Sequence, residues 1–106
     1  MGSKAVVRLE VSIRVSRGKL AEATKYAKEL AAYQDKTQGM STQVFTVAFG
    51  QGGVIAFHTD AANFAEVESR LAKLQADKVR QAMIDKAAVD GLFIEGSLVN
   101  RALVTL

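Results

Sequence analysis

From Ala5 to Val15 the chain alternates between apolar and polar residues. Ala5, Val7, Leu9, Val11, Ile13 and Val15 fall on one side, and Arg8, Glu10, Ser12 and Arg14 on the other. A period of two sustained over this length specifies a strand with one dry and one wet face, because successive side chains of a strand point to opposite sides. Antiparallel sheets carry such strands more often than parallel ones. Only Val6 breaks the polar row. Whatever covers the apolar side must therefore come from the rest of the 106 residues.

That remainder changes period. Leu20, Ala23, Ala27, Leu30 and Ala31 recur at helical spacing up to about Asp35, in a segment of good helix formers. Ser16 stands where an N-cap belongs, and Gly39 is a natural terminator. Alternation resumes from Ser41 to Phe49, which sets Phe45, Val47 and Phe49 against Val44, Thr46 and Ala48. Gly50 to Gly53 interrupt it, and Val54 to Thr59 continue with Ile55 and Phe57 opposite Ala56 and His58. Two strands split by a short glycine-rich gap read as a hairpin. A phosphate-cradling loop needs a helix directly behind its glycines, and here a strand follows.

Asp60 is placed to cap a second helix with Phe64, Val67, Leu71 and Leu74 on one stripe. A break at Ala76 and Asp77 separates it from a further helical segment that carries Val79, Ala82, Met83 and Ala87 and stops at Gly91. Leu92 to Leu106 is strand-like, with a slip in its alternation near Asn100 and Arg101 that suggests a bulge. The order strand, helix, strand, strand, broken helix, strand predicts an α+β, ferredoxin-like βαββαβ sandwich in one domain, residues 4–106, with a four-stranded antiparallel sheet.

Composition excludes several chemistries. No cysteine is present, which removes disulfides, thiolate metal sites and cysteine nucleophiles, and the single His58 rules out a poly-histidine centre, so no metal site is expected. Fourteen Lys and Arg against eleven Asp and Glu give a net charge of +3, with the cations dispersed among acids as on a solvated helix face. No nucleic-acid partner is expected from this balance. The run Gly52 to Thr59 also lacks the exposed rings with which an RRM of the same topology stacks bases. No apolar run approaches the ~20 residues of a membrane span, so the expectation is a cytoplasmic protein with no membrane partner.

Both helices must roof the same sheet face, which leaves the other face uncovered. On it the alternation places Arg8, Glu10, Ser12, Arg14, Val44, Thr46, Ala56, His58, Phe93, Glu95, Ser97 and Val99. With the usual strand order, His58 is expected near Arg8, and Glu95 near Ser12, Glu10 or Arg14. Such a face is too apolar to stay wet, and packing two copies together would hide it around an interior lined by Arg8, Glu10, Ser12, Arg14, His58, Phe93 and Glu95. The expected partner is a second copy of the chain, with the tail from Ala102 to Leu106 reaching toward its sheet edge.

The run Val15-Ser16-Arg17-Gly18-Lys19-Leu20-Ala21-Glu22, then Gln38-Gly39-Met40 before the second strand and Gly91-Leu92-Phe93-Ile94-Glu95-Gly96 before the last, resembles the dimeric α/β barrel superfamily. Its members include antibiotic-biosynthesis monooxygenase-like, stress-responsive barrel and NIPSNAP-like domains. The resemblance implies a homodimeric barrel. It does not extend to haem chemistry: Ser12 stands where haem-degrading members carry an Asn, no Trp is present, and His58 falls on a strand.

Two functional expectations follow. One is a small dimeric module that binds a small hydrophobic or aromatic ligand, or a protein partner, without a cofactor. The other is a cofactor-independent monooxygenase or isomerase acting on a small aromatic or cyclic substrate. In that reading His58 is the candidate proton acceptor and Arg8 or Arg14 holds an enolate or phenolate. Glu10 and Glu95 read first as salt-bridge partners, and Tyr26 and Tyr33 as packing or interface residues on the first helix.

Overall fold

A computed structural model describes residues 7–46 and 53–104. Among them, the elements run β1 (Val7–Arg14), α1 (Leu20–Gln38), β2 (Thr42–Thr46), β3 (Val54–Ala61), α2 (Phe64–Ala76), α3 (Lys78–Val89) and β4 (Val99–Val104). The strands form one open antiparallel sheet in the order β2-β3-β1-β4. This is the expected ferredoxin-like α+β layout, with the second helix broken in two. No helix among the described residues is long and apolar enough to cross a membrane.

Both helical layers lie on the face given by the odd-numbered residues of β1 and β3. Ala23 and Ala27 of α1, wholly buried, meet Val15, Ile55, Ala87 and Leu92. Val67 and Leu71 of α2 close over Val7, Leu9 and Ala61. Two alanines one helical turn apart let the α1 backbone come down onto the sheet, so Ile55 is covered almost completely. Burying such a side chain contributes roughly 1.5–3 kcal/mol.

The helix ends depart from the sequence expectations for identifiable reasons. Ser16 does not cap α1. Its N–H donates to the Leu92 carbonyl at 2.9 Å, and the Lys19 N–H closes a turn on the Ser16 carbonyl at 3.0 Å. The helix thus begins only at Leu20, after Gly18 has taken a φ of 79°. It then runs past Asp35 to Gln38, where Gly39 ends it in the left-handed conformation as anticipated. Asp60 does not cap α2 either, because Arg8 holds it from the neighbouring strand. Asn63 takes that role, accepting from the Glu66 N–H at 2.9 Å while Glu66 accepts from Ala62 N–H at 3.0 Å.

The expected break falls at Asp77, whose carboxylate accepts from the N–H groups of Val79 and Arg80 and so starts α3. Tyr33 donates its hydroxyl to the same carboxylate, which ties α1 to the break. Arg80 reaches the buried Gln34 amide oxygen at 2.8 Å. Phe64, expected on the buried stripe of α2, lies at its exposed start instead.

The strands hold further corrections. In β2 the faces are exchanged: Val44 packs with the core beside Phe57, and Phe45 points to the opposite side. The final strand starts at Val99, not Leu92. Residues 92–98 form an irregular approach containing one bridge, Val15 to Phe93, and a turn at Glu95 and Gly96. Among the described elements β4 lies against β1 alone, and every one of its residues is exposed. The predicted positions of Ala5, Val6, Val47 to Gly52, Thr105 and Leu106 lie outside the described residues.

Candidate functional site: the open face of the sheet

Strand register decides what meets on the face that no helix covers. Glu10 stands opposite His58 on β3 and Arg101 on β4, and His58 stands opposite Gln43 on β2. One transverse row therefore reads Gln43, His58, Glu10, Arg101. The next toward the start of β3 is Phe45, Ala56, Ser12, Val99. On the other flank Asp60, Arg8 and Leu103 line up, and Arg14 sits opposite Val54 at the far end.

The central row is a connected ionic network. His58 Nε2 lies 2.8 Å from Glu10 Oε2, and Arg101 donates to Glu10 Oε1 through Nε at 2.9 Å and also through Nη2. Glu10 and His58 keep only 15% and 18% of their side-chain surface exposed, despite lying on the open face. Phe45 accounts for part of this cover, its ring centroid 4.7 Å from that of His58 at an interplanar angle of 50°. The Arg101 hydrogen bonds hold the Glu10 carboxyl below its ordinary range. Burial opposes that shift, and His58 adds to it.

An ionised carboxylate can only accept, so Nε2 is the donating nitrogen of His58. Its Nδ1 is buried and meets no hydrogen-bond partner among the described residues. A carboxylate-oriented imidazole is what general-base chemistry uses. Here, however, the nitrogen left to accept a proton is out of reach of the open surface until the ring turns.

Arg8 and Asp60 form a second pair, 2.7 Å apart and each close to half exposed. The Arg8 hydrogen bond lowers the Asp60 carboxyl from its usual range. His58 stands directly opposite Glu10, and Arg8, one same-side step along β1, is in register with Asp60 and bound to it. Among the described residues, no group of three or more His, Asp or Glu side chains is placed to hold a metal ion.

The structure thus brings Arg8, Glu10, Ser12, Arg14 and His58 onto one face, and excludes two other expected residues. Phe93 packs into the helix-side core, edge-on to Tyr26 with centroids 5.6 Å apart. Glu95 sits in the exposed turn before β4. Both expectations rest on a last strand that starts at Leu92. The place reserved for Glu95 belongs to Arg101, and that for Val44 and Thr46 to Phe45 and Gln43. Gly96, with a φ of 78°, marked the turn that resets the parity. Nothing in the local pattern of β2 distinguished Val44 from Phe45.

No family model matches the chain, and no curated protein does. Solved structures do. A NIPSNAP family protein from Agrobacterium tumefaciens aligns over 95% of this chain and 93% of its own, with 25% identity and a TM-score of 0.78. A second NIPSNAP family protein from that organism, of unknown function, has 15% identity, covers 98% and 91%, and gives a TM-score of 0.78. An uncharacterised NIPSNAP domain protein from Burkholderia xenovorans has 17% identity over 95% and 92%, with a TM-score of 0.71. The chain shares the ferredoxin-like α+β fold of these NIPSNAP proteins.

Proposed function

We propose that this chain is a NIPSNAP-type protein that works as a homodimer, with two open faces packed together around a small hydrophobic or aromatic ligand. The observation that carries this reading is the composition of the open face. Phe45, Val99 and Leu103 are each 42–50% exposed there, beside a network in which Glu10 and His58 are already mostly buried. Apolar area left in water forfeits about 25 cal/mol per Å², and a second copy recovers it. β4 supports the same reading, since it is bare on both faces and pairs with β1 along one edge only.

Light scattering on the purified chain tests it. A mass of two chains is expected, and Leu103→Glu, which sets a carboxylate in the packed face, shifts it toward one. A wild-type monomer at high micromolar concentration, or a dimer untouched by Leu103→Glu, overturns the reading.

The hydrogen bond from His58 to Glu10 favours a second reading, a cofactor-independent isomerase or monooxygenase for a small aromatic or cyclic substrate. The step common to both is removal of a substrate proton by His58 Nδ1, with Glu10 holding the resulting imidazolium; in an isomerase the same proton returns to another carbon. It requires the imidazole to turn from its place beside Phe45. For any turnover found, His58→Ala is expected to lose about a hundredfold or more. Unchanged turnover in that variant removes the enzymatic reading and leaves the binding one.

A further inference from the structure

The charges of the open face do not cancel. Asp60 binds Arg8, and Glu10 binds Arg101. For the Arg14 guanidinium no carboxylate lies within ion-pair reach among the described residues. The backbone of Arg14 is pinned, its N–H donating to Ser97 Oγ at 3.0 Å and its carbonyl accepting from the Ile94 N–H at 2.9 Å. The strand end that presents the guanidinium is thus held, while no carboxylate among the described residues pairs with the guanidinium.

This residue adjoins the most apolar row of the face. Along β1, Arg14 is one same-side step from Ser12, about 6.8 Å. Across the sheet at Ser12 lie Ala56, Phe45 and Val99. Phe45 and Val99 stand on the outer strands, three strand spacings or about 14 Å apart, and both keep about half their surface exposed. The short side chains of Ala56 and Ser12 lie between them.

Resting on the dimer reading above, the enclosure of this face would take Arg14 out of water, and an unpaired buried cation is strongly unfavourable. We infer that the ligand is an anion, a flat ring system bearing one carboxylate. Its ring lies over Ala56 and Ser12 between Phe45 and Val99, and its carboxylate is held by the Arg14 fork. Guanidinium and carboxylate match as planar bidentate partners, which favours this group over a bulkier anion met by a single arginine. The His58 edge of the row then faces the far side of the ring. The same ring class suits either reading of the site, since the carboxylate anchors the ligand without taking part in chemistry.

Calorimetric titration with 2-naphthoate, with its neutral isostere 2-naphthamide and with 2-naphthylmethylammonium tests the assignment on wild-type protein, Arg14→Gln and Arg14→Lys. Naphthoate is expected to bind at least tenfold more tightly than the amide, and the cation not at all. In Arg14→Gln the preference for the acid falls to within about twofold while amide binding persists, and Arg14→Lys keeps an intermediate preference. Equal affinity for acid and amide in wild type, an undiminished preference in Arg14→Gln, or no binding by any of the three overturns the inference.

Light scattering of the ligand-free variants separates this from the dimer reading. A dimer with no preference for the acid fails this inference alone, whereas a monomeric wild type fails the enclosure on which it rests. A tenfold looser ligand-free dimer in Arg14→Gln shows that an acid of the second copy already meets the guanidinium, and also overturns it.

Discussion

Glu10 and His58 face each other across the β1–β3 ladder, 2.8 Å apart at Oε2 and Nε2, while Arg101 occupies the other carboxylate oxygen from the opposite strand. A carboxyl depressed in the folded state stabilises the fold above its ordinary titration range. That contribution is lost as pH falls through the lower, folded value. Urea melts at neutral pH are expected to place Glu10→Gln about 1–2 kcal/mol below wild type. The gap narrows toward zero as the pH is taken below the ordinary glutamate range. Asp60, lowered by Arg8, and Asp77, lowered by the Arg80 N–H, titrate in the same direction in both proteins, so the difference between the two isolates Glu10. A gap that stays constant with pH refutes the ionic account.

Arg101 and Glu10 share one interaction, and Arg8 belongs to another. A double-mutant cycle of Arg101→Ala with Glu10→Gln is expected to depart from additivity by roughly 0.5–1 kcal/mol. Arg8→Ala with Arg101→Ala should add, because the two guanidinium groups bind different carboxylates. Additivity in the first cycle would show that the Arg101 contact is not populated in solution.

Helix caps supply a paired test. Asn63→Ala removes the acceptor for the Glu66 N–H and is expected to cost about 1 kcal/mol. Ser16→Ala leaves every hydrogen bond named for Ser16 intact, since those use its backbone, and is expected to stay within about 0.5 kcal/mol. Thermal melts of the two variants side by side read the contrast. A Ser16 effect as large as that of Asn63 would restore it as a cap.

Core packing separates residues that look equivalent in the sequence. Ile55→Ala is expected to lose 2–5 kcal/mol, and Ala27→Leu about 1–3 kcal/mol because α1 has no room above the sheet. Phe64→Ala, at an exposed helix start, should change stability by less than about 1 kcal/mol. Denaturant midpoints for the three variants check the order.

These contrasts show what could be read from the chain. The period-two run into Val15 fixed which side of β1 is dry, and the helical spacing of Ala23, Ala27 and Leu30 fixed which side of α1 is buried, because both signals are local and repeated. The break at Asp77 and the stop at Gly39 were legible for the same reason: cap chemistry needs only a few neighbouring residues. Facing within β2 was not. That strand is short and apolar on both sides, so Val44 and Phe45 offer the same hydrophobic argument, and only its register with β3 separates them. The face of His58 was legible, but Glu10 as the residue directly opposite it was not, since a strand pattern carries parity and not offset. Arg101 escapes the reading because a bulge near Asn100 and Arg101 is expected to end the pattern at Val99, whereas β4 pairs with β1 in unbroken register from Val99 to Val104. Site residues contributed by pairing across strands thus depend on information that no single segment holds.

The attachment of β4 has a dynamic consequence. An edge strand secured by one ladder and no helix is the element that peels away without disturbing the rest of the molecule, and its amide protons should exchange first. Each such excursion carries Arg101 off with it and leaves Glu10 tethered to the imidazole alone. The rim of the sheet thereby reports its own fraying to a side chain two strands inward.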